Sequence, residues 1–242
     1  MKKNRYVVFL LLPVIAILII VVFMAKFYKK SGISTLDMVS SSSKSAGVVN
    51  SAASGSSANF TEIYATRSII ADLQKGGYVL YMRHGKTDTS RPDQFPTNLN
   101  DCNTQRPLSD EGRSEIRSIG LAIKQAKIPI DRVISSPLCR AKESAVIVYG
   151  DDISIDNNLM YTAHLTTEEK IPVVKKTREL LSTKVSRKNA NILIVAHAPN
   201  LADLMGYFPK IEGTVVVFRP LGNNEFVYMA TILPSQWEQL LK

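Results

Sequence analysis

Nineteen consecutive residues near the amino end, Val7 to Ala25 (VVFLLLPVIAILIIVVFMA), carry no charge. A helix of that length rises about 28 Å, close to the roughly 30 Å hydrocarbon core of a bilayer. Basic residues flank it on both sides: Lys2, Lys3 and Arg5 before, Lys26, Lys29 and Lys30 after. A core helix would not be framed in this way. A cleaved signal peptide calls for a shorter apolar stretch and a small-x-small site, and FMAKFYKK offers no clear one. We therefore expect a basic flank at 1–6 and an uncleaved single-pass transmembrane helix at 7–25. The flanking positive charges nearly balance, and the free amino terminus tips the orientation towards N-in, C-out. The rest of the chain is then extracytoplasmic, which in a bacterial-type cell means periplasmic.

Residues 26–59 are rich in Ser, Ala and Gly and poor in large apolar groups, the composition of a flexible tether. The formal charge of +9 does not point to nucleic acid. Seven of the basic residues and a single Asp lie in 1–59, leaving 23 basic against 20 acidic residues for the remainder. The basic excess belongs mostly to the membrane flanks. No Arg/Lys stripe with interleaved aromatics follows, so no nucleic-acid partner is expected. Nothing in the sequence sets an oligomeric state.

From residue 60 to 242, helical and strand periodicities alternate. Ile63, Ile69, Ile70 and Leu73 predict a helix over Glu62–Gln74, stopped at Gly76-Gly77 and followed by a strand over Tyr78–Met82. Ser109 is a plausible N-cap for a second helix with Ile116, Ile119 and Ile123 on one face. A strand over Arg132–Ser136 precedes a helix over Arg140–Tyr149, then a strand at Ile153–Ile155 and a polar helix over Thr167–Val185. NILIVA, Asn191 to Ala196, reads as a buried central strand; TVVVFRP and EFVYMATIL are β-rich, and an amphipathic SQWEQLL ends the chain. This order predicts a three-layer α/β/α sandwich with a mostly parallel central sheet. Ligands of such sheets bind beyond the carboxyl ends of the strands. Arg83-His84, the stretch Ser135–Arg140 and His197 all fall at such ends.

Two arginines and two histidines converging there suit an anion, because guanidinium forks match phosphate oxygens. Gly85, lacking a side chain, would let a ligand approach the backbone. Arg83-His84-Gly85, TQRPLSDEGRSEIRSIG, ISSPLCRAKESA and ILIVAHAPNL come in an order that resembles the histidine phosphatase superfamily, also called phosphoglycerate mutase-like, over about Gly77–Phe218. The resemblance implies phosphoryl transfer with His84 as nucleophile and Arg83, Arg140 and His197 holding the phosphoryl oxygens of a phosphorylated substrate. It implies neither cofactor nor metal. Anchored relatives of this layout act on envelope sugar phosphates such as lipopolysaccharide heptose phosphate. A small molecule or a phosphoprotein is an equally open substrate.

The proton donor is where the sequence departs from the family. Many members carry Glu directly after Arg-His-Gly or in a middle block, whereas here Lys86 stands first and NNLMYTAHL holds no carboxylate. The phytase-like branch places Asp after the second histidine, where this chain has Ala198. Asp88 and Glu212 are the candidates, each with a simpler reading as a turn residue. His164 matches no family motif and is expected at the surface. Cys102 and Cys139 are the only cysteines, and an even count beyond a membrane anchor suggests a disulfide. A different class remains open: a weakly catalytic phosphate-binding or scaffolding module on a membrane tether, favoured by the absent acid and opposed by the intact Arg/His set. A phosphomutase has no supporting feature.

Overall fold

The computed structural model describes residues 60–242. The expected flank, transmembrane helix and tether lie outside the described residues. Among the described residues, no helix is long and apolar enough to cross a membrane.

Two apolar runs form the centre of the sheet. β1, Val79–Arg83, and β4, Asn191–Ala196, pair in parallel, and β4 is buried at every position. Helices packed on both faces of the sheet account for that burial. On the far side of β4 lies β2, Ile130–Ser135, followed by the two-residue β3, Ser154–Ile155; both are parallel to their neighbours. On the other side of β1, the hairpin of β5, Val215–Gly222, and β6, Glu225–Ile232, runs antiparallel. The order is β3-β2-β4-β1-β5-β6. The parallel core is therefore four strands, and the β-rich carboxyl-terminal runs are an antiparallel extension of it.

Side chains alternate across these strands. Leu80, Met82, Leu193, Val195, Val215 and Val217 pack with α1 (Arg67–Lys75), α2 (Asp110–Gln125), α3 (Cys139–Tyr149) and the short α6 (Trp237–Leu241). Val79, Tyr81, Ile192, Ile194, Val216 and Phe218 face α4 (Thr167–Ser182) and α5 (Ala198–Met205). α2 begins at the expected cap, where Ser109 Oγ accepts the Gly112 amide at 3.0 Å. Thr166 and Glu169 form a reciprocal capping box on α4.

The first helix starts five residues later than the periodicity predicts. Ala65 N–H donates to Thr231 O, and Thr231 N–H donates to Ile63 O. Residues 63–65 thus lie extended along the open edge of β6, whose unpaired backbone groups compete successfully with a first helical turn.

The same packing fixes the loop after β1. A Cβ placed on Gly85 would lie 2.5 Å from Ile116 Cγ1, and one on Gly112 would lie 2.1 Å from the Lys86 carbonyl oxygen. The missing side chain at Gly85 makes room for α2, not for a ligand as expected above. Since backbone cannot yield as a side-chain tip can, Gly112→Ala is expected to destabilise the domain by about 1 to 3 kcal/mol. A denaturation midpoint equal to that of the unsubstituted protein would refute this close approach.

Candidate active site

Parallel pairing brings the two histidines together. Arg83 is registered with Ala196, so the next residue on each strand, His84 and His197, stands beside the other with ring centroids 5.2 Å apart. The His84 amide donates to Ala196 O at 3.0 Å, extending the ladder one step beyond the strands. Beneath them, Tyr81 Oη accepts the His197 amide at 3.1 Å and donates to His197 O at 2.8 Å. A buried phenol with two backbone partners holds the second histidine's main chain in place.

Each ring has a defined tautomer. His84 Nδ1 lies 2.9 Å from Gly85 O, which can only accept, so the proton sits on Nδ1 and Nε2 keeps its lone pair. His197 Nε2 lies 2.7 Å from Ser136 Oγ. That hydroxyl accepts the Leu138 amide at 3.3 Å, and among the described residues its own hydrogen has no acceptor other than Nε2, which places the proton of His197 on Nδ1. Both rings are buried, His84 at 2% exposure. Burial and then the Arg140 charge hold His84 well below its ordinary value; burial and then His84 do the same to His197. Both are neutral near pH 7.

Three guanidinium groups border the histidines. Arg83 donates through Nη1 to Pro209 O and Lys210 O and faces Glu212 Oε1 at 3.3 Å through Nη2. Arg140, at 0% exposure, reaches the site from the first turn of α3. Arg106 was not singled out from the sequence. Its charge acts on His84, His197, Arg83 and Arg140 alike. Five buried nitrogens in this group have no partner among the described residues: Arg83 Nε, Arg106 Nε, Arg140 Nε, Arg140 Nη2 and His197 Nδ1. An unpaired buried donor costs about 1 to 3 kcal/mol, so a cluster of them is suited to an anion. α3 and α5 also begin at this end of the sheet, adding the partial positive charge of two helix N-termini.

The structure separates the candidate carboxylates. Asp88 accepts the Ser90 amide and hydroxyl in a self-contained turn. Glu212 belongs to the site, but on the Nδ1 side of His84 at 3.8 Å, and the Thr87 amide and hydroxyl also donate to it. Asp93, missed in the sequence, pairs with Arg140 Nη1 at 2.9 Å and accepts the Arg106 amide at 2.8 Å. Tyr161 lies under the Arg140 guanidinium and edge-on to His197. His164 is exposed, as expected, and packs against the outer side of Tyr161.

Cys102 and Cys139 are bonded to each other, tying the loop after β1 to the residue before Arg140. Gln105 Oε1 reinforces this by accepting the Cys139 amide at 2.8 Å. A hollow of about 510 Å³ lies beside Arg83, walled by Phe60, Tyr207, Phe208 and Lys210, but its lining includes neither histidine. Among the described residues, no cluster of His, Cys, Asp and Glu is arranged to hold a metal ion.

A neutral imidazole with a free Nε2, set among unpaired guanidinium donors, is chemically suited to a phosphoryl group. Residues 79–164, which supply Arg83, His84, Arg106 and Arg140, match the histidine phosphatase superfamily (branch 1). No curated protein matches the chain. Among solved structures, the chain is similar to the protein histidine phosphatase SixA complexed with tungstate, at 19% identity over 66% of this chain and 98% of that one, with a TM-score of 0.45. It is similar also to the alpha-ribazole phosphatase from Shigella flexneri, at 16% identity over 65% of this chain and 96% of that one, with a TM-score of 0.44. A mycobacterial glucosyl-3-phosphoglycerate phosphatase follows at 18% identity, 59% and 90% coverage and a TM-score of 0.41.

The depressed histidines set a pH dependence. Unfolded imidazoles take up protons below about pH 6.5 that the folded pair refuses. Stability is thus expected to be flat above that pH and to fall below it. Urea midpoints from roughly pH 8 to pH 5 measure this. His197→Gln should flatten the acid limb, and an unchanged limb would refute the assignment.

Proposed function

We propose that the protein is a membrane-anchored phosphoric monoester hydrolase that works through a phosphohistidine on His84, with its domain in the periplasm. The observation that carries this reading is the His84 ring. Its Nδ1 proton is committed to Gly85 O, its Nε2 is unbonded, and it stands among five unpaired buried donors. Nε2 attacks phosphorus in line as the alcohol departs. Arg83, Arg106, Arg140 and His197 Nδ1 hold the equatorial oxygens, where fixed donors stabilise the transition state most. As the Nε2–P bond forms, the ring gains positive charge at Nδ1, and Gly85 O and Glu212 lie on that side to offset it. Water then hydrolyses the phosphohistidine.

Anchoring rests on the uncharged run Val7–Ala25. The Cys102–Cys139 bridge supports a compartment outside the reducing cytosol. The substrate class is a phosphomonoester: a small molecule, an envelope sugar phosphate or a phosphoprotein.

Full-length protein in detergent is expected to release phosphate from p-nitrophenyl phosphate, and His84→Ala to lower kcat by about three orders of magnitude or more. An acid-labile phosphoryl label should appear on the unsubstituted protein and not on the variant. Equal turnover by both proteins would sink the mechanism. Phosphate binding without turnover would identify a binding module instead.

A further inference from the structure

A phosphomonoester with an unactivated alcohol needs a proton at the leaving oxygen. In an in-line displacement by His84 Nε2, that oxygen lies on the opposite side of phosphorus from the ring. Glu212 cannot reach it: it sits at the Nδ1 edge, held by Arg83 and both donors of Thr87. Asp88 is occupied by Ser90.

Asp93 has the missing properties. Its side chain is 9% exposed, and Oδ1 bridges Arg140 Nη1 and the Arg106 amide, while Oδ2 has no hydrogen bond among the described residues. Arg140 keeps Nε and Nη2 buried and unpaired. A guanidinium is a rigid planar fork a few ångströms across. A phosphoryl group on those two nitrogens therefore lies next to the carboxylate on Nη1. The carboxylate and the bound phosphoryl group thereby share one guanidinium.

We propose that Asp93 is the proton donor to the leaving oxygen of the substrate. The assignment rests on the phosphatase reading above and adds the acid that reading lacks. In the first half-reaction the P–O bond breaks as the Nε2–P bond forms, and its electron pair goes to the leaving oxygen, which takes the proton of Asp93. In the second half-reaction, water attacks phosphorus and gives its proton to the Asp93 carboxylate. The Nε2–P electron pair returns to nitrogen, and both residues regain their starting states. The net change is hydrolysis of one ester bond.

The test is a leaving-group series on the full-length protein in detergent, from dinitrophenyl phosphate, whose phenolate needs no proton, to glycerol phosphate, whose alkoxide does. Asp93→Asn is expected to lower kcat/KM for the alkyl ester by about 10²- to 10³-fold more than for the dinitrophenyl ester. Turnover of the activated ester also shows that the variant is folded. An equal loss along the whole series, or none, would overturn the assignment and leave the phosphohistidine mechanism standing. So would the same leaving-group dependence appearing in Tyr161→Phe and not in Asp93→Asn. Absence of His84-dependent turnover of either ester by the unsubstituted protein would take down both.

Discussion

The parallel register between β1 and β4 is the constraint on which the site depends. The two strands are more than a hundred residues apart in the chain, yet Val79 to Arg83 pairs residue by residue with Ile192 to Ala196. Both strands end at the same level, so His84 and His197 leave the sheet side by side. β2 flanks β4 and contributes Ser136 to His197; β5 flanks β1 and is reached through Glu212 and Thr214. A slip of one residue would turn either histidine to the opposite face. The two apolar cores, one on each face of the sheet, exclude that slip because every alternate residue of β1 and β4 is committed to one of them.

Given that frame, the electrostatics are a balance of buried like charges. Three arginines crowd two imidazoles, and two of the three have a carboxylate: Glu212 on Arg83 and Asp93 on Arg140. The histidines relieve the rest by staying neutral. The two carboxylates differ in kind. Glu212 has three donors converging on it and acts as a fixed counter-charge beneath the Nδ1 edge. Asp93 keeps one oxygen unbonded and shares its arginine with the anion site. That asymmetry is the physical basis for giving one a holding role and the other a proton.

Legibility in the sequence followed regularity of the backbone. Arg83, His84 and His197 were readable because each stands where an apolar run ends, and Arg140 because it opens a helix after such a run. The alternation of strands and helices likewise made the layered sheet readable. Arg106 and Asp93 lie in a loop with no period, and nothing local ties either to Arg140. The available signals were indirect: an Arg set just before the Ser109 cap, and Cys102 four residues ahead of it. The start of α1 was misread for a different reason. Ile63 fits a helical face, and only the sheet's free edge, invisible in a one-dimensional pattern, draws residues 63–65 into extension.

That irregular loop must deliver Arg106 and Asp93 to ångström tolerance without a regular ladder, and its bonds show how. Thr87 pairs with Leu108 across its base, and Asp88 N–H donates to Pro107 O. Farther out, Gln94 N–H donates to Thr104 O, and Gln105 Nε2 donates to Asn98 O. The bridge from Cys102 to Cys139 then fixes the loop's far side to the first turn of α3. In the chain-entropy model, closing a loop of 37 residues is worth about 3 to 4 kcal/mol. That is comparable to leaving one or two donors of the anion site unpaired. The same covalent link that offsets this cost also flanks Arg140, so the segment most in need of ordering is ordered beside the buried guanidinium whose Nε and Nη2 stand unpaired.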